Sequence, residues 1–209
     1  MKNLRYTSVT TLFMLLLMSL VYACDDNQNE LASDTLVVQD VTQEEIKALQ
    51  FMLEEEKLAR DTYSYLGSLW SVNQFKNIKS SEQTHMDAIE NLMIQNNIEY
   101  TILPPGQFKD DTLQQLYDTF VVEGTTDVVS ALKIGATIED LDIVDLQNYM
   151  DATTNPAIIT VFERLQCGSR NHLKSFVFGI ENNLGTYTPQ YLSQDAYESI
   201  LSQNRERCY

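Results

Sequence analysis

Four long segments of this 209-residue chain repeat their apolar residues at helical spacing, and each of the four stripes is interrupted in its middle by polar or ionisable groups. The first stripe reads Leu49, Leu53, Glu56, Arg60, Tyr63, and the second Ile78, Glu82, His85, Ile89, Leu92. The third reads Val128, Leu132, Gly135, Glu139, Asp142, Leu146, Tyr149, and the fourth Ile158, Phe162, Leu165, Ser169, His172, Phe176. Residues three or four apart share a helix face. Each stripe is therefore a core-facing surface, apolar at its ends and polar at its centre. Carboxylates buried without compensation cost several kcal/mol each, so the fold has to bring these centres to one another or to a cation.

The helix limits can be read from caps and breakers. Thr42 and Glu45 form a capping box that starts the first helix, which runs to about Trp70. The second runs from about Gln74 to Asn97 and the third from about Thr126 to Met150. The fourth runs from about Pro156 to Asn183, with Asn155 as its cap and proline in its first turn. Short links at Ser71–Asn73 and Asp151–Thr154 make antiparallel hairpins of helices one and two, and of three and four. Between the hairpins, Ile98 to Thr125 carries Pro104-Pro105-Gly106 and an amphipathic piece, Thr112 to Val122, and is long enough to cross with a short helix of its own. Seven glycines and four prolines are few for an all-β chain. The expected fold is all-α: a ferritin-like four-helix bundle, two antiparallel hairpins joined by a long crossover, in a domain spanning 42–209. A short C-terminal helix from Ser193 to Leu201 follows, in a tail expected to lie as a lid on the bundle end. At about 1.5 Å rise per residue the four polar centres fall at similar heights, which predicts one polar layer through the bundle.

Carboxylate oxygens and imidazole nitrogens are ligands that iron, manganese and zinc accept. A lone Glu-x-x-His is weak evidence, and a run such as Glu54 to Glu56 ordinarily marks a solvated face. The metal reading rests on four stripes coinciding and on both histidines of the chain falling in the layer. Three residues beside it have two readings each. Arg60 either points inward to pair with the carboxylates or sits at the surface edge of its stripe. Tyr63 is either a core tyrosine with its hydroxyl at the layer or a group that acts on a bound ligand. Gly168 either permits close helix approach or allows a local bulge.

These same residues resemble a known group. Glu56-Lys-Leu-Ala59-Arg60-Asp-Thr-Tyr63 is similar to the first-helix pattern of rubrerythrin-type ferritin-like proteins, and Ser81-Glu82-Gln-Thr-His85 to their second-helix Glu-x-x-His. Gly135-Ala-Thr-Ile-Glu139 with Asp142 is similar to their third-helix carboxylates. More specifically, EEEKLARDTY, SEQTHMDAI, GATIEDLDI and GSRNHLKSF resemble an uncharacterised family of ferritin-like domains in bacterial and archaeal proteins, over about residues 42–203. The resemblance implies a metal-binding bundle and brings no substrate. The ligands it implies are Glu56, Glu82, His85, Glu139 and His172, with Asp142 substituting for a missing acid, because Ser169 stands where the di-iron pattern has a second glutamate. Iron or manganese is the implied metal, as two ions per chain or as one, with zinc as a further option.

The amino terminus concerns delivery. Lys2 and Arg5 precede an uncharged run from Leu12 to Ala23 that ends at Cys24, which reads as a signal peptide over residues 1–23. Val21-Tyr22-Ala23-Cys24 resembles a bacterial lipobox, which implies cleavage before Cys24 and lipidation of its thiol. The polar segment over 24–41 then reads as a disordered tether, and the domain is expected in the cell envelope, held to the membrane by lipid, in the periplasm or at the cell surface. Cys167 and Cys208 are the remaining cysteines, and an oxidising envelope makes them a candidate disulfide joining the tail to helix four. The formal net charge of −16 excludes nucleic-acid binding through the protein's overall field.

Three function classes emerge. The first in rank is a metal-binding envelope lipoprotein with a carboxylate/histidine site. The second is a di-iron or manganese oxidoreductase acting on peroxide or dioxygen. The third is an interaction module without metal, its polar layer satisfied by hydrogen bonds and an Arg60 ion pair.

Overall fold

The computed structural model describes residues 40–208, so the leader, Cys24 and nearly all of the tether lie outside the described residues. Six helices and no strand occur among the described residues: α1 (Gln43–Trp70), α2 (Asn73–Gln95), α3 (Asp111–Glu123), α4 (Val128–Asp151), α5 (Pro156–Asn182) and α6 (Gln194–Ser202). The Thr42/Glu45 capping box forms as the sequence predicts, with the Glu45 amide donating to Thr42 Oγ1 (3.2 Å) and the Thr42 amide to Glu45 Oε2 (2.8 Å). Asn155 caps α5 through the Ala157 amide, with Pro156 in the first turn. Other limits shift by one or two residues. The fourth element, α4, starts at Val128 rather than Thr126 because the Asp127 side chain accepts from the Ser130 amide and so fixes the cap. Helix α2 stops at Gln95 because Asn97 takes a left-handed φ of 55°.

Two apolar clusters flank the polar residues, and their order along each helix sets its direction. On α1 the chain passes through one cluster (Leu49, Met52, Leu53), then Glu55 and Glu56, then the other (Leu58, Tyr63, Leu66). On α2 the order is reversed: Phe75 and Ile78 belong to the second cluster, Glu82 and His85 follow, and Met86, Ile89 and Met93 belong to the first. Helix α4 runs from Leu132 through Glu139 and Asp142 to Leu146, and α5 from Phe162 through Ser169 and His172 to Phe176, again in opposite senses. Helices α1 and α2 thus form one antiparallel pair and α4 and α5 another, and each pair is packed along its length. All four carry their ionisable residues between the two clusters.

The connection between the pairs is tied to α1 by charge. Lys57, 1% exposed, pairs with Asp61 at 2.6 Å and donates to the carbonyls of Pro104 (3.1 Å) and Gln107 (3.0 Å), with its ammonium 4.2 Å from the Phe108 ring centre. The Gly106 amide donates back to Asp61 (3.0 Å), and Glu54 accepts from the amides of Lys109 and Asp110. Helix α3 follows, packed on α1 and α4.

The C-terminal tail does not lid an end of the helices. It runs back alongside α4 and α5 to mid-helix level, because a fully buried Asp140 supplies acceptors there for the amides of Gln190, Tyr191 and Leu192 and for the Tyr187 hydroxyl. Farther on, the Glu206 amide donates to Asn171 Oδ1, and Arg170 pairs with Glu206. Cys167 and Cys208 are joined, with Cα atoms 5.6 Å apart.

Candidate metal centre

The ionisable residues between the two apolar clusters converge from all four long helices. Glu56 on α1, Glu82 and His85 on α2, Glu139 and Asp142 on α4, and Ser169 and His172 on α5 are all buried. Two groups of three place one ligand atom each within 4.8 Å of the others: Glu56, Glu82 and His85, and then Glu82, Glu139 and His172. Glu82 belongs to both. Its Oε2 lies 2.9 Å from His85 Nδ1 and its Oε1 lies 2.9 Å from His172 Nδ1. The outer contacts are His85 Nδ1 to Glu56 Oε2 at 3.2 Å and His172 Nδ1 to Glu139 Oε2 at 3.4 Å. The imidazoles stack with centres 5.6 Å apart.

Close approach here is only partly hydrogen bonding. Neither His172 Nδ1 nor Glu82 Oε1 has a hydrogen-bond partner despite their separation, and Glu56 Oε1 and Asp142 Oδ1 are also buried and unpartnered. Asp142 stands beside the two groups rather than in either, and its Oδ2 accepts from the Ser169 hydroxyl. Tyr63, fully buried, donates its hydroxyl to Glu139 Oε1 at 2.6 Å and so orients one candidate ligand. Arg60 turns away from the layer: it pairs with Asp61 at 2.8 Å and donates to Gln83 Oε1 at 2.8 Å. Gly168 gives close approach, since a Cβ there would meet His85 Nε2 at 2.6 Å.

The electrostatics follow from burial and from these neighbours. Burial pushes the Glu56 carboxyl up to about 8, against the pull of His85 and with the help of Glu82. Burial and the charge of Glu82 raise Glu139, and burial with Glu56 raises Asp142 well above the ordinary range. Glu82 is the exception: burial is overcome by His172 and His85, which hold its carboxyl below the usual range. Burial works against charge on His172, yet Glu82 and Glu139 raise it to about 10, and Glu56 and Glu82 do the same in direction for His85.

Sequence reasoning missed Glu55. Read as part of a solvated run, it is 1% exposed with both carboxylate oxygens unpartnered, and burial followed by Asp142 and Asp145 pushes it well up. The signal was its position three residues after Met52 and four before Ala59, both buried.

The profile of an uncharacterized protein domain, DUF2202, matches residues 45–204. The chain belongs to the DUF2202 family. A relative, the uncharacterized protein MJ0754 of Methanocaldococcus jannaschii, is 45% identical over 175 residues, covering 83% of this chain and 95% of its own. The crystal structure of the hypothetical protein MJ0754 is similar with a TM-score of 0.79 at 45% identity, over 80% of this chain and 97% of that one. This DUF2202 chain therefore shares its helical fold with a protein of known structure.

Proposed function

We propose that this DUF2202 domain is a metal-binding protein built as a ferritin-like bundle, with iron or manganese held by Glu56 and His85 on one side, Glu139 and His172 on the other, and Glu82 between. The observation that carries the reading is Glu82, whose two oxygens each approach a different histidine at 2.9 Å. Adjacent ligands on an ion with bonds of about 2.1 Å lie about 3.0 Å apart in octahedral and about 3.4 Å apart in tetrahedral geometry. The histidine-to-carboxylate separations run from 2.9 to 3.4 Å. Unpartnered atoms on Glu56, Glu82 and His172 supply donors with no other use, and burying such groups unsatisfied costs about 1–3 kcal/mol each. A cation resolves that cost at several atoms together.

A bound transition-metal pair would supply Lewis acidity and redox capacity. The protein's own contribution is to hold the carboxylates in an apolar surround, to orient Glu139 through the Tyr63 hydroxyl, and to keep Arg60 out of the layer through Asp61 and Gln83. That placement of Arg60 weighs against an interaction module whose carboxylates are neutralised by an internal arginine. Nothing in the site selects an oxidant, so binding ranks above turnover. The leader and Cys24 support delivery of the domain to the envelope by a lipid anchor, and mass spectrometry of the membrane fraction would find a lipidated Cys24 or refute it.

Elemental analysis of the purified protein beside Glu82→Gln tests the reading. Two iron or manganese ions per chain are expected in the parent and one or none in the variant. A parent that takes up no first-row metal, even on reconstitution, ends it.

A further inference from the structure

The outer edges of the two histidines open onto a surface depression of about 470 Å³ between α2, α5 and the C-terminal tail. His85 and His172 are 9% and 7% exposed, and both contribute to its lining together with Gly168. Their Nδ1 atoms face the carboxylates, so it is the Nε2 edges that turn outward. The missing side chain of Gly168 is what lets the His85 edge come forward. Neither Nε2 has a hydrogen-bond partner among the described residues.

With a metal on Nδ1 the ring proton sits on Nε2, and such an N–H almost always donates to a carboxylate, a backbone carbonyl or water. Among the described residues no protein group accepts from Nε2 of either ring. What the protein offers instead is cation: Arg164 and Arg205 line the depression, both exposed. Neither makes an ion pair or hydrogen bond among the described residues. The acid in the lining, Glu206, is already neutralised by Arg170 at 2.6 Å, with Lys174 at 3.8 Å. In a chain of net charge −16, two unpaired guanidinium groups beside two outward-facing imidazole edges form a local site of opposite sign. Arg205 is brought there by the Cys167–Cys208 link and by the bonds between Asn171 and Glu206.

We propose that this depression binds a small oxyanion group, free or carried on a small organic acid or phosphate monoester, which accepts from the Nε2–H groups of His85 and His172 and is held by Arg164 and Arg205. The inference rests on the metal reading, because the metal fixes the proton on Nε2. An anion there would complete the hydrogen bonding of both histidine ligands and couple occupancy of the depression to the metals beneath.

Zinc-loaded protein, which is diamagnetic, allows a direct test. Its zinc content is measured first, and the imidazole ¹H–¹⁵N signals of both histidines are then followed during titration with sodium sulfate, with sodium chloride at matched ionic strength as reference. A saturable shift specific to sulfate is expected. Arg164→Gln/Arg205→Gln should weaken it about tenfold at low salt with zinc content unchanged, and Lys133→Gln, which removes a cation elsewhere, should not. Glycerol phosphate binding more tightly than sulfate would assign an organic phosphate, and equal binding a free oxyanion. Bound zinc with no sulfate response beyond that of chloride, or equal affinity in parent and double variant, overturns the anion site and leaves the metal reading standing. No zinc uptake removes both.

Discussion

A Cβ placed on Gly168 would lie 2.6 Å from Nε2 of His85, so the position of one candidate ligand on α2 depends on the absence of a side chain on α5. The ring cannot retreat freely, because its other nitrogen is hydrogen-bonded to Glu56 at 3.2 Å and lies 2.9 Å from Glu82. Gly168→Ala is therefore expected to displace the imidazole, to lower stability by about 1–3 kcal/mol through overpacking, and to reduce metal from two ions per chain toward one. Metal content and thermal unfolding of the variant check this. An alanine variant with full metal content would mean that His85 is not a ligand.

Stability should depend on pH in opposite ways with and without metal. Glu56 is raised from its ordinary 4.5 to about 8, so between those values the folded apoprotein holds a proton that the unfolded chain has lost. His172, raised from 6.5 to about 10, behaves likewise over its own interval. Stability falls with rising pH wherever the folded state binds more protons, so the melting temperature of chelator-treated protein should decline steadily from pH 5 to pH 9. Glu82, held low, contributes in the other sense only below the ordinary carboxylate range. Metal must displace those protons, so its affinity rises with pH and the loaded protein should flatten or reverse the decline. An apoprotein that gains stability from pH 5 to pH 9 would contradict these assignments.

Much of this arrangement was legible in the sequence, for a physical reason. Apolar period, caps and short links are local, and they gave the four long helices, the Thr42 and Asn155 starts and the common polar level of Glu56, Glu82, His85, Glu139 and His172. What was hidden depends on contacts distant in the chain. Lys57 and Asp140 look like surface charges in isolation and become core residues only when the crossover and the tail supply carbonyls and amides to them. Glu55 was hidden by its neighbours, since an acidic triplet reads as solvated unless the helix is known to be covered on more than one side. The tail's attachment to α5 was legible in the Cys167/Cys208 pair, whereas its return to mid-helix level was not, because Asp140 sets it through amides some fifty residues away in the chain.

The burial of Lys57 carries its own expectation. Lys57→Met keeps the aliphatic bulk but removes the ammonium that serves Asp61 and the carbonyls of Pro104 and Gln107. Asp61 retains Arg60 and the Gly106 amide, so the loss should fall near the lower end of the range for breaking a buried pair, about 3 kcal/mol. Urea unfolding gives that figure. Limited proteolysis should find new cleavage between residues 98 and 110, and a variant as resistant as the parent would show that α3 alone holds the crossover.

The link between Cys167 and Cys208 spans a sequence separation of 41, for which loop-closure entropy gives about 4 kcal/mol at most. That figure assumes a reduced, unfolded chain without residual structure, and a more compact unfolded ensemble gains less freedom on reduction. Cys167→Ser/Cys208→Ser should therefore cost about 2–4 kcal/mol and leave the helices intact by circular dichroism. Metal content should stay at two ions per chain, because neither sulfur belongs to the two ligand groups. Loss of metal in this variant, with the helices preserved, would place the tail among the supports of the site itself rather than beside it.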